Sequence, residues 1–374
     1  MNKRRVNLRQ TVRVGGAAAV ALMFALGALV VLPRISTADA AGEMPIVTAV
    51  TADTLATAHF AGVEHDPAKV VGSESCAECH APAVESWKQT PHFQTWATLH
   101  RKDEAREIAE AMGVRSVKRG DVCLQCHYTR QEVEGRIRPI SGVSCESCHG
   151  PAEDWMDIHN DFGGEGVTKE EETPEHRAQR IEQSIDNGMR HPSNLYAVAQ
   201  NCYNCHTVPN EKLVNTGGHQ AGSDNFELVA WSQGMVRHNF ARTNQEHNAE
   251  NSAERLRLMY VVGAMVDLEY SLRALAEATE RADYAVAMAQ RVDKARKRLK
   301  EIQELVSNEH VDAAVEAGYE PALKLNNREP LTAAADQTGE AARAFAETAD
   351  GADLEALDPM LPNPSEYKGE PLRP

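Results

Sequence analysis

The order of apolar and polar positions divides the chain before any residue type is singled out. Residues 1–40 open on a basic stretch, Lys3, Arg4, Arg5, Arg9 and Arg13, followed by an apolar run over 14–32 and the small-x-small triplet Ala38, Asp39, Ala40. That succession is the pattern of an export signal cleaved after Ala40. The apolar run is also long enough to reach across a bilayer, so an uncleaved segment would tether the chain to a membrane. Residues 41–71 show no period and read as an N-terminal strap. Residues 72–250 are polar and punctuated by Gly, Pro and Asn, with short helical stretches at 83–87 and 105–112, so sparse regular structure is expected there.

The pattern changes near Asn251. Apolar or small residues recur at Leu258, Val261, Met265, Leu268, Leu272, Leu275, Thr279, Ala282, Val286 and Ala289, and neither Gly nor Pro occurs over 264–317. Alternating steps of three and four make the seam of a long packed helix. Asn251 or Ser252 is placed to cap its start, with Glu254 in the first turn. A fold-back near 280–283 and a further helix over 331–348 give an α-helical domain at 251–350. After Leu357 five prolines predict an extended tail over 351–374. The expected fold class is mainly α with much irregular structure: a sparsely ordered region followed by a C-terminal α-helical hairpin or bundle.

Composition adds two constraints. A chain of 374 residues with 42% hydrophobic residues can build two interiors, yet only 5% of it is aromatic, which suits a protein that buries large flat cofactors instead. The formal charge of −16 becomes −21 once residues 1–40 and their net +5 are removed. Such a field argues against nucleic acid and suits soluble, basic redox partners met by electrostatic steering, besides keeping the chain in solution.

The cysteines narrow the chemistry. All eight lie in Cys-x-x-Cys pairs followed at once by His: Cys76, Cys79 and His80; Cys123, Cys126 and His127; Cys145, Cys148 and His149; Cys202, Cys205 and His206. Two thiols three positions apart reach the two vinyl groups of one porphyrin, and the next residue sets an imidazole under the iron. Disulfides need no following His, zinc sites join two pairs per ion, and thioredoxin-like chemistry needs one pair. With 15 His in 374 residues, four coincidences have a chance on the order of a few in a million. Four covalent hemes c are the expected cofactors. Export agrees, because such attachment is completed outside the cytoplasm, and a periplasmic location follows as an expectation.

The residues around these motifs resemble the tetraheme cytochrome c-554 family over roughly 75–240. The first motif is followed by Ser86, Trp87, Lys88 and His92, and the third sits in GVSCESCHGP, residues 142–151, with His159 beyond it. The resemblance implies three hemes with two His ligands each and a second heme with an open position. Carried onto this chain, it implies His159 opposite His80, His92 opposite His149, His238 opposite His206, and His127 alone. His219, in the Gly-rich segment GGHQAGS, is the alternative cap for the fourth heme or the second. The chain departs from the family in being acidic and in adding a long C-terminal region, so donor and acceptor do not carry over.

These readings favour a periplasmic electron carrier with mostly bis-His hemes, exchanging electrons with redox partner proteins. Two alternatives stand beside it: an enzyme acting on a small nitrogen compound at an open second heme, and an electron-transfer subunit docked through its C-terminal helices. The sequence does not fix an oligomeric state.

Overall fold

The computed structural model describes residues 65–223 and 225–372. The expected export signal and residues 41–64 of the strap lie outside the described residues. Within them the fold is mainly α with one small sheet and much irregular chain, as expected.

The motif region is a string of short helices: α1 (Ser73–Lys88), α2 (Pro91–Thr98), α3 (Asp103–Ala111), α4 (Asp121–His127), then β1 (Thr129–Val133) and β2 (Arg136–Ser141), α5 (Cys145–His149), α6 (Met156–His159), α7 (Pro174–Asp186), α8 (Leu195–His206), α9 (Glu211–Asn215) and α10 (Leu228–Ser232). The two strands pair antiparallel across a turn at Glu134 and Gly135, both with positive φ. The hairpin was absent from the sequence reading. Each Cys-x-x-Cys-His motif lies on or at the end of a helix. In α1 the helix breaks at His80, whose φ and ψ are −118° and 34°, two residues before Pro82, which brings no N–H to the ladder.

The C-terminal region follows the expected pattern with one correction of register. Ser252 caps α11 (Ala253–Ala276) by accepting from the Arg255 N–H. Val261, Met265, Leu268 and Leu272 are fully enclosed, as the seam requires, and this helix is buried nearly all round because α12 (Asp283–Leu305), α13 (Glu309–Tyr319) and α14 (Arg328–Thr348) pack about it. The chain reverses over 277–282, within two or three residues of the expected fold-back. The reversal resets the helical phase: Val286 is 49% exposed, and the core face of α12 is instead Tyr284, Met288, Val292, Ala295, Leu299 and Ile302. His310 begins α13 as a half-buried residue.

Residues after 350 are not simply extended. Gly351–Met360 coils into 3-10 turns against α11, where Arg257 makes a two-toothed pair with Asp358 at 2.7 and 2.8 Å and donates to the Gly351 carbonyl. Proline at 359 is compatible with such turns because they ask little of its missing N–H.

One apolar core runs from Leu195, Tyr196, Ala199 and Tyr203 on α8 through Phe226, Leu228 and Val229 to the C-terminal helices and Leu357. The fourth motif therefore ends a helix rooted in the C-terminal bundle. A separate small cluster of Ala109, Val117, Leu124 and Tyr128 supports the second motif.

Candidate heme-binding site

The fold brings together the imidazoles that the sequence singled out, in four pairs. His80 faces His159 with ring centroids 6.3 Å apart, His206 faces His92 at 6.2 Å, His127 faces His219 at 6.3 Å, and His149 faces His238 at 6.1 Å. Each pair joins one motif His to one His from elsewhere in the chain. A metal with a ring nitrogen about 2 Å away on either side puts the two centroids roughly 6 Å apart. Interplanar angles of 28°, 66°, 41° and 90° are compatible with this, because an imidazole turns about the metal–nitrogen axis without losing the bond.

Tautomer control points the same way. The Nδ1 of His149 faces the Arg190 carbonyl at 3.3 Å, that of His206 the Ser223 hydroxyl at 3.1 Å, that of His219 the Gln220 carbonyl at 2.8 Å and that of His238 the Val236 carbonyl at 2.7 Å. The Nδ1 of His159 meets the Met156 carbonyl. With Nδ1 engaged, Nε2 is left for a metal. Burial disfavours the charged ring: His127 and His149 are lowered to about 4 and His206 to about 3, while His80, His92 and His159 are also lowered, burial being the largest cause each time. Neutral imidazole is the form that ligates.

The pairing of rings differs from the ligand set that the family resemblance implied. His159 does stand opposite His80. His92, however, faces His206 rather than His149, and His238 faces His149 rather than His206. His92 is tied by its backbone to the third motif, its carbonyl accepting from the Val143 N–H at 3.1 Å, while its ring is directed to the fourth. The position of the backbone and the direction of the ring part company here, and spacing along the sequence reports neither. His127 does not stand alone. The end of α9 turns through Gly217 and Gly218, the latter at φ +74°, and the His219 N–H returns to the Leu213 carbonyl. A Cβ at position 217 would lie 2.4 Å from that same carbonyl, so the Gly-Gly pair lets the turn tighten and present His219 to His127.

None of the eight thiols is in a disulfide, and among the described residues no group of three or more His, Cys, Asp or Glu is gathered as a metal cage. Cys76 lies within hydrogen-bonding reach of Cys145, and Cys126 within reach of Cys205, so the first and third motifs adjoin, as do the second and fourth. The Tyr128 hydroxyl, the Trp155 indole N–H and the Tyr203 hydroxyl are buried without a protein partner. Tyr128 follows the second motif, Tyr203 lies inside the fourth, and Trp155 meets His159 edge-on at 5.2 Å. Polar atoms left open beside the motifs fit a cofactor that carries acceptors of its own.

Residues 75–150 match the family model described as cytochrome c554 and c-prime. Over those residues the chain is similar to c-554-type cytochromes. A search of curated proteins finds cytochrome c-554 from Nitrosomonas europaea, 30% identical over 103 residues, which is 25% of this chain and 43% of that protein. The chain thus matches less than half the length of that relative, and the C-terminal helices lie outside the family match. No solved structure matches the chain. The likeness is to multiheme c-type cytochromes, whose cofactor is covalently bound heme c.

Several supporting residues gave no sign in the sequence. Arg190 is 4% exposed and donates to the Cys148 and Ser147 carbonyls at 2.8 and 3.0 Å, satisfying the end of α5. Glu146, inside the third motif, accepts from the Val71, Gly72 and Ala152 N–H groups. Thr95 bonds the carbonyls of both His92 and His127. A charged residue inside a motif reads as solvated surface until its partners are known.

Proposed function

We propose that this chain is an exported, periplasmic tetraheme c-type cytochrome that carries electrons between redox partner proteins, with all four irons held by two imidazoles. The carrying observation is the set of four His pairs at 6.1–6.3 Å, each beside its own thiol pair. When bound, each heme supplies one reversible electron at its iron.

The chain's own residues would do the rest. Cys76 with Cys79, Cys123 with Cys126, Cys145 with Cys148 and Cys202 with Cys205 would tether the four porphyrins. His80 with His159, His127 with His219, His149 with His238 and His206 with His92 would hold the four irons, two imidazoles to each, so that no iron would be free to bind substrate. A ligand set that need not change between oxidation states keeps reorganisation small. Two neutral imidazoles also favour the ferric state, which keeps potentials low. Contact between Cys76 and Cys145, and between Cys126 and Cys205, supports paired hemes. Cys148 lies within electrostatic reach of Cys202 and Cys205, so the two pairs meet at α5 and α8. The order of neighbours is then first, third, fourth, second.

Pairing of His127 with His219 weighs against an enzyme that binds a small nitrogen compound at an open second heme. Holoprotein purified from an export-competent host should carry four hemes by mass, show only low-spin signals by electron paramagnetic resonance, and give no carbon monoxide difference spectrum when reduced. His219→Ala should then create one carbon monoxide-reactive iron in four. A reactive iron in the unaltered protein would overturn the closed-site reading.

A further inference from the structure

The last described residues of the chain lie against the segment that presents His238. The Lys368 N–H donates to the Ala230 carbonyl at 2.9 Å, and the Lys368 carbonyl accepts from the Met235 N–H at 3.0 Å. Four residues further on, the Leu372 carbonyl accepts from the Asn248 side-chain amide at 3.1 Å. The same Asn248 nitrogen donates to the Arg237 carbonyl at 2.8 Å, and its oxygen accepts from the Asn239 N–H at 2.9 Å. Asn248 therefore grips the peptide on either side of His238 and is itself tied to the tail. Gly234 is built for this contact: a Cβ there would stand 2.3 Å from the Lys368 carbonyl oxygen and 2.8 Å from its carbonyl carbon, so any other residue would push the tail away.

Besides these bonds the segment is tied by Arg237 to Glu250 at 3.1 Å and by the Asn239 side-chain amide to the Ala249 carbonyl at 2.8 Å. His238 follows a single short helix, α10, and a run of turns, and it sits at φ −148°, just before a 3-10 segment at Asn239–Thr243. Its backbone is held mainly by bonds from other segments, with the Ser86 hydroxyl reaching the Arg237 carbonyl at 3.2 Å as a further tie.

We propose that the C-terminal tail is a clamp that positions His238 opposite His149, so that the region added beyond the family match completes the third heme site. This rests on the bis-His reading above. The seated tail braces the loop that delivers this imidazole at three points, Ala230, Met235 and Asn248.

The test uses full holoprotein and three variants. The chain ended at Asn363 and the variant Gly234→Val, which keeps every tail residue but denies it its seat, should each convert one low-spin iron in four to a high-spin, carbon monoxide-reactive one. Their spectra should match that of His238→Ala, which removes the ligand itself. Lys368→Ala leaves the clamping backbone intact and should behave as the unaltered protein. Four low-spin irons in Gly234→Val, or a reactive iron whose spectrum differs from that of His238→Ala, would overturn the clamp. If the shortened chain fails to accumulate, Gly234→Val alone decides. A carbon monoxide response in the unaltered protein would instead count against the bis-His reading, so the two failures are told apart.

Discussion

Glu172 illustrates how single residues stiffen the surroundings of a ligand without touching it. Its side chain is almost wholly enclosed and receives the Arg180 guanidinium through two bonds, at 2.6 and 2.7 Å, with the His176 ring at 2.9 Å. Arg180 in turn donates to the His159 carbonyl at 2.6 Å. Hydrogen bonding from Arg180 leads in holding the Glu172 carboxyl down at about 2. An acid lowered on folding contributes stability above its unfolded value of about 4.3, and that contribution fades as pH falls from there towards 2. The urea midpoint of the protein should drop between pH 5 and pH 2.5, and Glu172→Gln should flatten part of that drop while lowering the midpoint at pH 7. Equal slopes in both proteins would remove Glu172 from the account. At this scale the residues proposed to bear heme carry their own signal, because the attachment chemistry demands a fixed spacing. The charged residues around them were not legible: Arg180, Glu146 and Arg190 reach partners 21 or more residues away, and Glu172 acts only through Arg180 and His176.

At the scale of elements, the turn between α11 and α12 shows where a sequence pattern stops being sufficient. No Gly or Pro interrupts this stretch, and the seam of apolar positions runs straight across it. The stop comes from outside: the Glu211 carboxylate at the start of α9 accepts from the Thr279 N–H at 3.0 Å, from its hydroxyl at 2.6 Å and from the Glu280 N–H at 3.3 Å. Asn215 at the end of α9 accepts from the Tyr284 N–H at 3.0 Å. A neighbouring helix thus supplies the caps that the turn's own residues do not, and its loop goes on to deliver His219. Glu211→Ala should cost about 1 kcal/mol, in the range of a lost cap, read as a lower midpoint in chemical denaturation with an unchanged slope. No change would mean that the apolar contacts of Leu275 and Tyr284 fix the turn unaided. Helix starts with a local signal, such as Ser252, were legible from the chain. Ends set by tertiary caps, and the phase of the helix after them, were not. The same reason explains the imidazole pairing: His92 lies between the first and second motifs along the chain, its carbonyl is bonded to the Val143 N–H beside the third, and only tertiary packing turns its ring towards His206.

For the whole molecule the governing quantity is charge. A formal −16 is carried by a chain whose two halves share one core, so the field surrounds the motif region and the helices together. A basic single-heme cytochrome approaching it is drawn in over a Debye length of about 10 Å at 0.1 M salt, which shrinks to about 3 Å at 1 M. Attraction of this kind raises encounter rates by roughly ten-fold or more at low ionic strength and adds little at high. Stopped-flow electron transfer from the reduced protein to a basic acceptor should therefore slow about ten-fold or more between 10 mM and 500 mM salt, and transfer to an acidic acceptor of similar potential should speed up over the same range. The two slopes must have opposite sign if long-range charge sets the rate. Should both acceptors slow alike, transfer would depend on a local docking patch at one end of the heme path, and the acidity would serve only to keep the protein in solution.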